Sequence, residues 1–368
     1  MTQIHKKENS ALGKNILQKI KDLSENLEEK VTFMHVCGTH EYTIAKHGIR
    51  ELLPDNINII PGPGCPVCVC PTSDLDAAIE ICESTSQNNV ILTTFGDMMR
   101  VPSNTTSLYE AKAQGSDIRV VYGPHDAVEL AQKNPEKEVV FFSIGFETTV
   151  PLPAFELAQE PPENFSLISA HKLVPPAMNL LLNLPDVQID GFLLPGHVCT
   201  IIGAEVFRPY AEKYHSPMVV GGFEPNEVLI SLYYLLRQKL NKKAKVENAY
   251  QHVVDNKGNI EAQKFIAQIF TPCDSEWRGL GKIEKSGLKL REEYAEYDAL
   301  KKFGIEMKPN TQMPEGCSCD QVLIGKVSPQ DCPLFGNKCT PRSPVGPCMV
   351  SHEGSCKIAF MFKRYHEN

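Results

Sequence analysis

Two short apolar runs, each ending at a cysteine-bearing turn, set the tightest limits on how this chain can fold. Val31–Val36 (VTFMHV) is apolar and β-branched, the pattern of a buried strand, and it stops at Cys37-Gly38-Thr39-His40-Glu41. Ile57–Ile60 is a second such run, ending at Gly62-Pro63-Gly64-Cys65-Pro66-Val67-Cys68. Thr39 is expected to cap a helix over about 40–53. A thiol at such a junction faces unsatisfied backbone N–H groups and the positive helix end, which favours thiolate, the form that binds metal or attacks. The expectation is that the two loops meet in space and form one three-thiol site from Cys37, Cys65 and Cys68.

Further runs of the same kind recur at 90–95, 118–122, 139–144, 166–169, 191–194 and 218–220. Helical patterns alternate with them near 73–86, 106–114, 125–133, 152–159, 175–183, 201–213 and 226–240. This β-α alternation predicts parallel sheets in an α/β protein, with ligands gathered at the C-terminal ends of strands. A weak internal repeat pairs Leu53-Pro54-Asp55, a strand and Pro61-Gly62 with Leu184-Pro185-Asp186, a strand and Pro195-Gly196. The second copy has His171 and His197 where the first has cysteines. Two related parallel-sheet α/β domains are therefore expected, at 1–135 and 136–240, followed by a C-terminal α/β, cysteine-rich domain at 241–368. For 368 residues, two or three domains is the ordinary outcome. Loops at Phe95-Gly96-Asp97, Gly145-Phe146-Glu147-Thr148-Thr149, Pro195-Gly196-His197 and Gly222-Phe223-Glu224 follow strands and could together wall a cleft. Each taken alone reads as a turn or helix cap.

The net charge of −8 and the lack of a basic block argue against a nucleic-acid partner. The Lys- and Glu-rich N-terminal stretch reads as a surface helix, not a secretory or transit signal, and no window approaches the ~18 apolar residues of a membrane span. A cytoplasmic location follows as the expectation. There, thirteen cysteines argue for metal or redox chemistry over a disulfide framework. Four lie between Cys37 and Cys70 and six between Cys317 and Cys356, whereas Cys82, Cys199 and Cys273 read as small buried hydrophobes.

The N-terminal set contains C-x2-C, Cys65 and Cys68, which in a βα setting reads first as a dithiol–disulfide couple. Cys37 with His40 is a soft sulfur–nitrogen pair suited to iron, zinc or copper. Glu41 reads as an acid–base group or as a charge favouring the helix N-terminus, and Cys70 has no assigned role. Beyond 241, IEAQKFIAQIF and LREEYAEYDALKKF read as amphipathic helices. The loop- and proline-rich segment to Cys356 lacks the apolar residues for a core and needs an inorganic or covalent staple. It has no C-x2-C knuckle of the zinc type. Its spacing allows four thiolates around a [4Fe-4S] cluster with two left over, without saying which four.

The motifs CGTHE, GPGCPVCVCP, TFGDMMRVP, GFETT, PGHV, GGFEP and CPLFGNKCTP with GPCMVSHEGSC together resemble the HypD family of hydrogenase maturation factors. The resemblance covers nearly the whole chain; Ser103 and Cys70 depart from it. It implies a scaffold on which the Fe(CN)2CO unit of [NiFe]-hydrogenase is built, with a small chaperone, HypC, sharing the iron and HypE delivering cyanide. On that resemblance Cys37 is the leading iron ligand with His40 close by, and Cys65 and Cys68 are the adjacent redox pair. The cluster ligands fall on Cys317, Cys332, Cys339 and Cys356, leaving Cys319 and Cys348 as a second redox pair, arranged as in ferredoxin-thioredoxin reductase. The rival reading is a stand-alone iron-sulfur thiol-disulfide oxidoreductase.

Overall fold

The computed structural model describes residues 3–84, 89–184, 186–308 and 313–362. Pro185 of the internal repeat and the last residues of the helix expected over 73–86 lie outside them. The strands are β1 (Val31–His35), β2 (Ile57–Pro61), β3 (Val90–Thr94), β4 (Ile118–Val120), β5 (Glu138–Gly145), β6 (Phe165–His171), β7 (Gly191–Pro195), β8 (Met218–Gly221), β9 (Val246–Asn248), β10 (Phe270–Trp277) and β11 (Gly281–Leu290). They build two parallel sheets, β2-β1-β7-β8-β9 and β4-β3-β5-β6, and one antiparallel pair, β10-β11. The protein is α/β with parallel sheets and a cysteine-rich C-terminal region, as the alternation predicts. Strands with residues on both faces buried, such as β3 and β7, read as unbroken apolar runs for that reason.

Sheet membership cuts across the expected division at 135. The first sheet takes β1 and β2 from near the N-terminus and β7, β8 and β9 from residues 191–248; the second takes everything between. The register is direct: Phe33 pairs with Ile59 on one side of β1 and with Gly191 on the other. A local strand pattern cannot report such pairing, because the chain between β1 and β7 runs through β2 and the whole second sheet.

Helix ends also differ from expectation where glycine or a cap intervenes. The helix expected over 40–53 is two, Gly38–Lys46 and Ile49–Leu52, divided at Gly48 with φ 60°. The one over 201–213 becomes Gly196–Ile202 and Arg208–Tyr214, divided at Gly203 with φ 83°. The stretch from 290 to 303 is a 3-10 turn followed by Ala299–Phe303, because Asp298 accepts from Leu300 N–H and caps a new start. The hairpin of β10 and β11 was not expected at all. It docks on the end of β6, where Leu173 N–H donates to Ser286 O at 2.8 Å and Ser169 Oγ donates to Leu288 O at 2.7 Å. Trp277 anchors it, stacked on Phe146 with its indole N–H on Ser286 Oγ at 2.9 Å.

The N-terminal helix, Gln3–Ser24, buries one stripe of its surface. Ile16 and Ile20 join Phe33, Val219, Leu232 and Leu235 in a core between that helix, the helix Pro225–Leu240 and the first sheet. No helix among the described residues is long and apolar enough to cross a membrane. Ile20→Ala opens a cavity in this core and is expected to cost about 2–5 kcal/mol. Urea unfolding of the variant checks this.

Candidate functional site

In an open parallel sheet, a crevice forms where consecutive connections leave in opposite directions. In the first sheet that point lies between β1 and β7, and in the second between β3 and β5. The two points face each other. Cys37 follows β1, His197 follows β7, Phe95-Gly96-Asp97 follows β3 and Phe146, Thr148 and Thr149 follow β5; all line one cleft of about 490 Å³. Gly64, Pro66 and Val67 from the loop after β2, with Ser351 and Glu353 from the C-terminal segment, complete its wall. Three of the four expected loops therefore meet; in the fourth, Glu224 caps the helix Pro225–Leu240 through a reciprocal capping box.

The two cysteine loops touch through backbone. Gly38 N–H donates to Gly64 O at 3.1 Å, and a side chain at residue 64 would collide with the backbone of Cys37. Residues 351–353 tie the two sheets together across the cleft. Ser351 Oγ donates to Asp97 Oδ2 at 2.8 Å, and Thr39 Oγ1 donates to Glu353 Oε1 at 3.5 Å. Glu353 was not singled out by the sequence reading; the run Ser351-His352-Glu353-Gly354 ahead of Cys356 was the available signal.

Cys37, not Thr39, is the N-cap residue of the helix Gly38–Lys46. Its thiol is not the poised thiolate expected from that position. Burial and the nearby Glu353 carboxyl push it up to about 11, against the lowering effect of backbone N–H groups of His40 and Thr39. Cys65 and Cys68 form a disulfide at the N-terminus of the short helix Pro66–Val69, where Cys65 Sγ accepts from Cys68 N–H at 3.1 Å. They are 3% and 0% exposed and lie behind the cleft wall, whereas Cys37, at 8%, lines it. The three sulfurs share one region, with one of them facing the cleft.

His40 and Glu41 sit behind Cys37. His40 Nε2–H donates to Gly222 O at 3.0 Å, and its ring stacks on Phe223, which also stacks with His197 at 3.8 Å between centroids. Burial, with His35 nearby, takes its pKa down to about 3, and its Nδ1 has no partner. Glu41 receives His35 Nε2–H at 2.7 Å and both terminal nitrogens of Arg50, at 3.1 and 2.5 Å. Burial opposes its charge, but Arg50 and His35 outweigh it and bring its pKa to about 2. Glu41 is thus a fixed carboxylate bracing the Cys37 helix, and it does not line the cleft. Glu147 is buried as well, pushed up to about 7 by desolvation, with Oε1 on Val174 N–H at 2.9 Å. His171, the expected counterpart of a cysteine, is locked between Ser143 Oγ at 2.9 Å and Ser169 Oγ at 3.1 Å, away from the cleft.

The six C-terminal cysteines form a second nest. Cys319 lies within hydrogen-bond reach of Cys317, Cys348 and Cys356. Cys339 Sγ accepts from Val345 N–H at 3.3 Å, and Cys332 lies 4.0 Å from Gly316 O. A Cβ at Gly346 would stand 2.5 Å from Cys317 Sγ and 2.7 Å from Cys319 Sγ, so the glycine leaves room for the sulfurs. All six are free thiols, Cys317, Cys319, Cys348 and Cys356 hydrogen-bonding among themselves, and among the described residues no three His, Cys, Asp or Glu side chains are arranged to hold a metal ion. The two nests adjoin: the helix Pro66–Val69 packs on the turn Pro347–Met349, and Cys65, Cys68, Cys319, Cys348 and Cys356 share one core.

Facing sheet crevices, a cleft thiol beside the loop of a buried disulfide and an adjoining thiol nest define a cysteine-rich α/β protein with its site between two parallel sheets. The HypD family model, described as "Hydrogenase formation hypA family", matches residues 11–363. The hydrogenase maturation factor HypD of Escherichia coli strain K12 is 43% identical over 357 residues, covering 96% of this chain and 95% of that protein. The protein of the same name from Azotobacter vinelandii is 43% identical over 344 residues, covering 91% of this chain and 90% of its own. The chain belongs to the HypD family of hydrogenase maturation factors.

Glu353→Gln removes the negative charge beside Cys37 and is expected to lower the pH at which that thiol is half alkylated by iodoacetamide in metal-free protein. Alkylation rates across pH, followed by peptide mass spectrometry, check this.

Proposed function

We propose that the cleft is the platform on which the Fe(CN)2CO unit of a [NiFe]-hydrogenase is assembled in the cytoplasm. The observation that carries this reading is the position of Cys37: one sulfur, at the meeting point of two sheet crevices, opening on a cleft large enough for a small iron complex. Iron is cargo here. Cys37 would supply one ligand, and the HypC-type chaperone and the incoming diatomic groups would supply the others. A single protein ligand leaves coordination positions free for CN and CO, with cyanide brought by a HypE-type carrier. His40 stands behind as a neutral ring with an unpartnered nitrogen, and its assigned part is to hold the Cys37 helix against the Gly222–Phe223 loop. Asp97, His197 and Glu353 at the rim can exchange protons and hydrogen bonds with bound ligands.

Cys65 and Cys68 are the redox pair next to the iron, cycling between the disulfide and two thiols. The donor chemistry of the C-terminal nest, soft sulfurs packed close with Gly346 leaving room beside Cys317, fits a [4Fe-4S] cluster. Cys317, Cys332, Cys339 and Cys356 would hold it, with Cys319 and Cys348 as the second dithiol pair. When bound, the cluster supplies one-electron transfer. The packing of Pro66–Val69 on Pro347–Met349 gives a short route between the two sets. The buried disulfide is also what a stand-alone thiol-disulfide oxidoreductase would need. Its burial behind the cleft wall counts against direct exchange with a protein substrate.

Cys37→Ala is expected to abolish iron–cyanide assembly while leaving the fold and the C-terminal cluster intact. Infrared spectra of anaerobically purified protein with its partners test this, and CN and CO bands in the variant would overturn the assignment. Cys332→Ala is expected to lose the brown visible absorbance of a cluster, read by absorbance and iron analysis.

A further inference from the structure

Residues 351–353, which bridge the cleft, are the tip of a loop. The loop closes at its base, where Gly354 N–H donates to Ser351 O at 3.0 Å and a Cβ on Gly354 would stand 2.1 Å from Cys348 O. The two attachments of the tip are unequal. Toward the second sheet, Asp97 Oδ2 accepts from Ser351 Oγ at 2.8 Å and from His352 N–H at 3.4 Å. Ser351 Oγ accepts in turn from Glu353 N–H at 3.2 Å. Arg100, on the same 3-10 turn as Asp97, fastens the segment again upstream, its Nη2 donating to Arg342 O at 2.6 Å. Hydrogen bonds with one charged partner are among the stronger ones.

Toward the first sheet the hold is weaker. Its polar contact is Thr39 Oγ1 on Glu353 Oε1 at 3.5 Å, long for a hydroxyl donor. Beside it Glu353 sits on Gly38, where a Cβ would stand 2.4 Å from Glu353 Cβ and 2.5 Å from Glu353 O. Gly38 directly follows Cys37, so Glu353 covers the backbone next to the sulfur that lines the cleft. That sulfur's residue is only 8% exposed.

We propose that residues 351–353 are a strap that screens the Cys37 sulfur and limits the size of molecule that reaches it, with Asp97 as the positioning residue that fastens it. The strap is fixed on the Asp97 side and releasable on the Thr39 side. Small groups pass it; a larger body must first lift Glu353 off Gly38. The inference deepens the platform reading, in which ligands of two atoms are added at Cys37, and rests on it for what the sulfur holds but not for how the sulfur is reached.

Full-length protein, purified without oxygen and without its partners, is alkylated by iodoacetamide and, separately, by the much larger pyrenyl iodoacetamide. In both reactions the sulfur displaces iodide. Rates at Cys37 are read by peptide mass spectrometry and divided by the rates with glutathione. Both reagents react with the thiolate, so the larger-to-smaller ratio cancels any change in the thiol's pKa and reports access. The unmodified protein is expected to disfavour the larger reagent. Ser351→Ala, which changes no charge, and Asp97→Ala are each expected to raise the ratio roughly tenfold, the scale of one lost bond to a carboxylate. Asp97→Asn, whose amide oxygen still accepts from Ser351, is expected to stay within about twofold of the unmodified protein. The proposal is overturned by an unmodified protein that treats the two reagents as glutathione does, by an unchanged ratio in Ser351→Ala or Asp97→Ala, or by an Asn variant as open as the Ala variant. If Asp97→Ala does not fold, Ser351→Ala decides on the same terms. CN and CO bands in Cys37→Ala would instead sink the platform reading and leave these ratios untouched, so the two failures are distinct.

Discussion

The contact on which the site depends is the approach of backbone at Gly64 to backbone at Cys37. Two strands that are neighbours in the first sheet end in loops that would diverge if residue 64 carried a side chain. Because it carries none, Gly38 N–H reaches Gly64 O, and the loop of Cys37 after β1 lies against the loop that carries the disulfide after β2. The rest of the cleft is topology. Each sheet reverses its winding direction once, and the loops that flank the reversal face one another across the cleft, with residues 351–353 bridging them.

Electrostatics at the cleft follow from burial more than from secondary structure. A helix N-terminus beside Cys37 pulls its thiol toward the charged form, but removing the sulfur from water and placing Glu353 nearby pull harder. The Cys37 thiol thus keeps its proton at neutral pH. Glu41 is the opposite case. Equally buried, it stays ionised because Arg50 and His35 donate to it, and the charge is used to brace the helix. The difference between the two groups is the sign of the charge beside each, Glu353 beside Cys37 and Arg50 beside Glu41, not the depth of burial.

The C-terminal segment is held by the rest of the chain as much as by its own chemistry. Ser351 is bonded to Asp97, the Pro347–Met349 turn rests on the Cys68 helix, and Gly279 of the β10–β11 hairpin touches Asp320. A stretch with many prolines and little apolar surface gains its fixed position from these contacts. Through them the second thiol nest becomes a neighbour of the first across some 250 residues of sequence.

Local chemistry was legible in the residues alone. The apolar period of β1, β3 and β5, the glycines after them and the cysteine spacings announced parallel strands ending in functional loops, and Asp97 and His197 already stood out as groups that could face a cleft. What could not be read was anything decided by pairing at a distance: that β1 lies between β2 and β7, that Glu353 closes the cleft, that Glu41 meets Arg50, or that Asp97 meets Ser351. By itself the sequence determined where the cysteine-bearing loops fall and which backbone segments are extended, because side-chain type and period act within a few positions. The tertiary structure alone decided which thiol faces open space and which charges meet, because burial and hydrogen-bond geometry depend on neighbours far away along the chain.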